Sequence, residues 1–175
     1  MIDGRGAILE TARAVSDLLR KAGLAGAVIG GVAVVLHGHK RATSDVDLYV
    51  EDAQAVAAAL EADGFDFDAD RREFVKGDVP VHLVKVEQLG TPPRVVVEIE
   101  GVTTVSLVDL IEMKLRSGGA NLLRAQDLAD VIGLARRHDL GGAFAGRLAK
   151  DVRPAFRKIA KALKAERDSG GAGHP

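Results

Sequence analysis

Apolar residues recur at helical spacing through the first segment of the chain. Ile8, Ala12, Val15, Leu18, Leu19 and Ala22 fall on one face of residues 6–22, and Gly23 supplies a stop. The period then changes. Residues 26–29 read as a short buried strand that ends in Gly30-Gly31, and Val32 to His37 as a short helix closed by Gly38. Residues 45–50 alternate strictly, with Asp45, Asp47 and Tyr49 on one side and Val46, Leu48 and Val50 on the other, the pattern of a strand. Residues 53–62 form a helix that Gly64 ends. Two short strands, 65–68 and 72–76, flank a polar turn, and 80–86 reads as a buried strand. Pro92-Pro93 marks a loop, after which 94–100 and 102–105 are strands joined at Glu100-Gly101. Beyond residue 106 the spacing is helical, over 107–117, 122–138, 143–151 and 154–167. Pro154 is suited to a first helical turn, and residues 168–175 read as a disordered tail.

This order predicts an α/β fold of the α+β kind: a small mixed β-sheet flanked by helices over residues 1–106, with a C-terminal helical region over 107–167. The strands are too irregularly spaced for a doubly wound sheet, and no G-x-G-x-x-G follows the first one. Hydrophobic residues make up 47% of the chain but aromatics only 3%, so the core is aliphatic and base stacking on aromatic platforms is disfavoured. With no cysteine, disulfides, thiolate metal sites and cysteine nucleophiles are excluded. The chain shows neither a basic-then-apolar leader nor an apolar run of the ~20 residues a membrane span needs, which reads as a cytoplasmic protein without membrane partners. Charge is dipolar. Residues 51–78 are acidic, whereas Lys150, Arg153, Arg157, Lys161 and Lys164 form a basic stripe opposite Phe156, Ile159 and Leu163. Such a stripe is either a solvated helix face or a grip on RNA phosphates, and a net charge of −1 favours the former.

The chemistry concentrates between residues 29 and 48. A strand that ends in Gly30-Gly31 and turns into a helix lets phosphate approach the backbone. Asp45 and Asp47, two apart on a strand, point their carboxylates the same way and offer the hard oxygen ligands that Mg²⁺ takes when phosphates complete its shell. The same alternation also describes an ordinary half-buried strand with one wet side. Further on, Lys114 falls on the apolar stripe Leu107, Leu110, Ile111 and Leu115, and Asp127 and Asp130 align with Val131 and Leu134. Charges on such faces need partners, either a bound anion or one another.

The run from Ile29 through Gly30-Gly31, His37-Gly38, Arg41 and Thr43 to Asp45-Val46-Asp47-Leu48 resembles the nucleotidyltransferase-fold superfamily, and within it the AbiEii-type nucleotidyltransferase toxins. The later Lys114-Leu115, Arg124 and Asp127-x-x-Asp130 are similar to the pattern that follows the metal strand in those proteins. The resemblance implies a nucleoside triphosphate substrate with Mg²⁺ (or Mn²⁺) on Asp45 and Asp47. It also implies triphosphate contacts from Gly30, Gly31, Arg41, Thr43 and Lys114, and proton removal by His82 or Asp127. The acceptor it implies is RNA, tRNA included, or a protein hydroxyl, with a cognate antitoxin as partner.

One position departs from that pattern. Active members carry a third acid on a later strand, and the matching Val81-His82-Leu83 holds His82 instead. His82 can act as base, Glu98 can supply the acid from the next strand, or catalysis is lost and a nucleotide- or protein-binding module remains. A small-molecule transferase of the aminoglycoside type, its cationic acceptor met by the acidic 51–78 segment, is a further alternative. His37 and His39 are candidates to join Asp45, Asp47 and His82 in a transition-metal site.

Overall fold

The computed structural model describes residues 4–120 and 124–170. The chain divides into two compact units, one of Met1–Leu36 with Lys40–Ser106 and one of His37–His39 with Leu107–Pro175.

The first unit is built on a seven-stranded mixed sheet of order β3-β4-β5-β2-β1-β7-β6. In chain order its elements are α1 (Gly4–Ala22), β1 (Gly26–Ile29), α2 (Gly30–Leu36), β2 (Val46–Val50), α3 (Ala53–Ala62), β3 (Asp66–Asp68), β4 (Glu73–Lys76), β5 (Val79–Val84), α4 (Val86–Leu89), β6 (Val96–Ile99) and β7 (Val102–Val105). The period of two in β2 decides what faces where. Val46, Leu48 and Val50 join Val28, Val81 and Val102 in a core with Ile8, Ala12, Val15 and Leu19 of α1 and Val56 and Leu60 of α3. The alternate positions are left for the opposite face. Asp52 caps α3, its carboxylate accepting from the Ala55 N–H at 2.9 Å. Inside the sheet, the buried Thr104 hydroxyl donates to the Val28 carbonyl at 2.6 Å, adding a side-chain bond where β1 and β7 pair in parallel.

The second unit contains α5 (Leu107–Ala120), α6 (Ala125–Arg137), a 3₁₀ turn (Gly142–Arg147) and α7 (Arg153–Gly170). Phe156 of α7 is fully buried and meets Phe144 of the 3₁₀ turn with ring centroids 5.3 Å apart. The basic stripe on α7 lies opposite Phe156, Ala160 and Leu163, which are buried, while Arg157, Lys161 and Lys164 are exposed. Arg153 departs from the stripe: its guanidinium turns back onto the Leu148 and Gly146 carbonyls.

The expected fold class is what forms, with local corrections. The strand expected over 80–86 ends at Val84. There the Lys85 N–H donates to Gln88 Oε1 at 2.8 Å and the one-turn α4 starts. The helix expected over 143–151 is a 3₁₀ turn, because Leu148 returns to extended backbone. Helix α2 begins at Gly30, two residues early, since Gly30 takes a left-handed φ of 66° that turns the strand directly into it. The last helix runs to Gly170, so residues 168–170 of the expected tail are helical, and the rest of that tail lies outside the described residues, as do positions 122 and 123 of the expected 122–138 helix.

Candidate metal and nucleotide site

The first unit brings three of the expected residues together. Strands β2 and β5 pair in parallel with Val46 against Val81 and Asp47 against His82, so His82 stands beside Asp47 on the face the core does not use. Asp45 lies two residues before Asp47 and points the same way. One ligand atom from each of Asp45, Asp47 and His82 lies within 4.8 Å of the others. His82 Nδ1 is 3.5 Å from Asp45 Oδ2 and 3.5 Å from Asp47 Oδ1. Each of the three side chains is about one-third exposed, hence reachable from solvent yet anchored.

Gly30 and Gly31, the first residues of α2 directly after β1, close this site. A side chain at Gly30 would occupy the position of the Asp47 carboxylate, and one at Gly31 would strike Thr43, with Arg41 next nearest. Thr43 Oγ1 sits 3.5 Å from Asp45 Oδ1, and the Arg41 Nε–H donates to the Ala42 carbonyl at 2.9 Å. Gly30, Gly31, Arg41, Thr43, Asp45 and Asp47 thus lie around one small volume. Both glycines are required there by space, and Gly30 also by its left-handed φ.

The group that sequence reasoning missed is Glu73. It opens β4, is 9% exposed, and places Oε2 3.2 Å from His82 Nε2. The available signal was an acid leading an apolar strand, Glu73-Phe74-Val75, which reads equally well as a turn residue. Glu98, weighed as a substitute acid, is on edge strand β6. It is 63% exposed and pairs with Arg20 at 3.4 Å, so it plays no part in the cluster. Among the described residues the group whose ligand atoms come together is Asp45, Asp47 and His82, without His37 or His39. The His37 carbonyl is bonded to the His138 ring at 2.7 Å, and the His39 ring lies against Gly133 of α6, where any side chain would overlap it.

The second unit holds the other charged constellation. Lys114 Nζ donates to Asp127 Oδ1 at 2.7 Å and to Asp130 Oδ2 at 2.9 Å, joining α5 to α6. Asp130 is fully buried and also accepts from Gln126 Nε2 at 3.0 Å. Burial works against a charged Asp127. Hydrogen bonds from Lys114 and Ser117, with the charges of Lys114 and Arg124, together outweigh it and hold its pKa below the ordinary carboxylate value.

Beside the first site, a cleft of about 980 Å³ opens from Asp47 and His82. Its walls carry Arg71, Arg72 and Lys85, with Phe67 half-exposed and tilted against Phe74 at 4.9 Å between ring centroids. No helix among the described residues is long and apolar enough to cross a membrane.

No curated protein shows significant sequence similarity to this chain. Solved structures do share its fold. An antigenic nucleotidyltransferase-like protein from Paracoccidioides brasiliensis is 18% identical with a TM-score of 0.54, over 74% of this chain and 75% of that one. ANT(2'')-Ia, solved in complex with adenylyl-2''-tobramycin, is 16% identical with a TM-score of 0.56, over 82% and 93%. JHP933 from Helicobacter pylori is 15% identical with a TM-score of 0.56, over 95% of each chain. The sheet order, the Gly30-Gly31 turn and the paired aspartates all lie within residues 8–111, the stretch matched by the family model described as "Nucleotidyl transferase of unknown function (DUF2204)", and the chain belongs to that family.

Proposed function

We propose that this protein transfers a nucleoside monophosphate from a nucleoside triphosphate to an acceptor hydroxyl and releases pyrophosphate. The observation that carries this reading is the convergence of Asp45, Asp47 and His82 beside two glycines that have no room for a side chain. The donor set suits a divalent ion, Mg²⁺ or Mn²⁺. When bound, it would offset charge on the reacting phosphate. Asp45 and Asp47 hold it, Gly30 and Gly31 leave backbone open to the phosphates, and Arg41 and Thr43 flank them. Catalysis by such a site is mostly positioning and charge stabilisation.

The acceptor enters from the cleft beside Asp47 and His82. Its three basic side chains and half-exposed Phe67 favour a phosphate-bearing acceptor such as RNA, tRNA included, over a cationic small molecule. The acids that also line it are Asp47, which the metal would engage, and Glu61 and Glu87. A protein hydroxyl is the other acceptor the resemblance implies. The resemblance likewise gives Lys114 and Asp127 a share in triphosphate binding and proton removal, and supports a toxin's role in the cytoplasm with an antitoxin partner.

The test follows pyrophosphate release from each nucleoside triphosphate with Mg²⁺ or Mn²⁺ and total RNA, for wild type and the Asp45→Ala/Asp47→Ala variant. Metal-dependent release in wild type alone, with label passing to RNA, establishes the transfer. Nucleotide binding with no release to RNA, protein or aminoglycoside acceptors assigns a binding module instead. No metal-dependent nucleotide binding overturns the site.

A further inference from the structure

The surroundings of His82 determine which ion the site takes. Strands β4 and β5 are antiparallel with Phe74 against Val81, and continuing that register by one residue sets Glu73 opposite His82. A carboxylate as buried as Glu73 needs a donor, and His82 Nε2 stands 3.2 Å away. Arg71 also reaches Glu73, at 3.7 Å, but is itself largely exposed. Since a carboxylate only accepts, a hydrogen on Nε2 serves that bond, and the ring nitrogen left facing Asp45 and Asp47 is Nδ1. Nδ1 and one carboxylate oxygen from each aspartate face one another, the donor set a cation takes. Both 3.5 Å separations exceed the usual N–H···O length of ~2.7–3.2 Å and leave room for a small cation between the atoms. Ligands ~2.0–2.2 Å from one ion stand roughly 3 Å apart at octahedral angles and roughly 3.5 Å apart at tetrahedral ones, so a first-row ion fits that spacing.

We propose that Glu73 is a positioning residue that fixes His82 as a nitrogen ligand, and that the site thereby takes a first-row transition ion such as Mn²⁺ in preference to Mg²⁺. This rests on the reading of Asp45 and Asp47 as metal ligands. Mg²⁺ favours oxygen and keeps its water, whereas imidazole suits transition ions. A carboxylate behind a ligating histidine fixes its tautomer and orientation. With both ring nitrogens engaged, His82 serves as ligand and takes no part in proton removal.

The experiment is Mn²⁺ binding by electron paramagnetic resonance at one fixed pH, with Mg²⁺ as competitor and pulsed detection of ¹⁴N coupling. The proteins are wild type, Glu73→Leu, His82→Asp and Asp45→Ala/Asp47→Ala, each checked by thermal melting. Wild type is expected to show ¹⁴N coupling and to prefer Mn²⁺ by about tenfold or more. Glu73→Leu weakens Mn²⁺ by about 10–100-fold, and His82→Asp abolishes the coupling and moves the preference toward Mg²⁺. Bound Mn²⁺ without ¹⁴N coupling in wild type, a measurement that needs no variant, overturns the proposal while the two-aspartate site stands. So does a folded Glu73→Leu with unchanged Mn²⁺ affinity. Mn²⁺ binding that survives Asp45→Ala/Asp47→Ala, or no binding at all, sinks the underlying metal-site reading as well.

Discussion

Replacing Lys114 by Met removes the ammonium and keeps most of the stem's volume. The two carboxylates it serves are unequal: Asp127 retains some solvent contact, whereas Asp130 is fully enclosed. Gln126 continues to donate to Asp130, but one neutral donor does not replace a cation at 2.9 Å. Removing one partner of a buried ion pair costs about 3–5 kcal/mol, because the remaining charge is left uncompensated. For a chain of this size that lowers the melting temperature by roughly 6–20 °C. The pH dependence gives a second reading. The folded-state pKa of Asp127 is depressed, so its stabilisation is present above the unfolded carboxylate pKa and is lost as pH falls through the folded one. The gap between wild type and variant is therefore full near pH 7 and narrows as the pH falls below about 4. Urea unfolding of both proteins across that range measures it. A gap under about 1 kcal/mol at pH 7 would mean the network is solvated and contributes no more than a surface pair. A gap that holds constant into acid would show that the Asp127 charge is not what Lys114 stabilises.

Gly30→Ala forces a side chain into the space of the Asp47 carboxylate at a left-handed φ, a backbone cost of about 1–2 kcal/mol before the clash. Calorimetry should show both a lower melting temperature and weakened Mn²⁺ binding, and unchanged binding would contradict the geometry. Thr104→Val keeps the shape but deletes the hydroxyl that donates to Val28, at about 1–3 kcal/mol, read from chemical denaturation. Asp52→Ala removes the cap of α3 and costs about 0.5–2 kcal/mol in the same assay. Arg71→Glu/Arg72→Glu is expected to raise KM for an RNA acceptor by at least about tenfold, through lost charge-assisted hydrogen bonds. Nucleotide affinity stays unchanged, and equal loss for both substrates would place the arginines on the triphosphate instead.

How far the site was legible in the sequence follows from which separations a single strand or turn determines. Asp45 and Asp47 share a face because side chains alternate along an extended chain, and Gly30-Gly31 marks a close approach whatever approaches it. Both are local facts, and the structure places both where the pattern did. His82 was marked by standing where the resemblance expects an acid, but whether it meets Asp47 depends on the parallel register of β2 with β5. That register is set across 35 residues by which valines reach the core: Val46 and Val81 must both face α1 and α3, so Asp47 and His82 must both face away. Glu73 needed one strand more. Nothing local separates it from the acids at 66, 68 and 70, which are solvated turn and edge residues, and only the pairing of β4 with β5 turns it inward. Glu98 failed by the same reasoning. It sits in an apolar-acid-apolar context as suitable as that of His82, but β1 and β7 lie between its strand and β2. An acid's candidacy in this fold is therefore decided by strand order. With His82 standing where the resemblance expects an acid, the buried carboxylate nearest its ring is Glu73, one strand outward, placed to aim that ring toward Asp45 and Asp47.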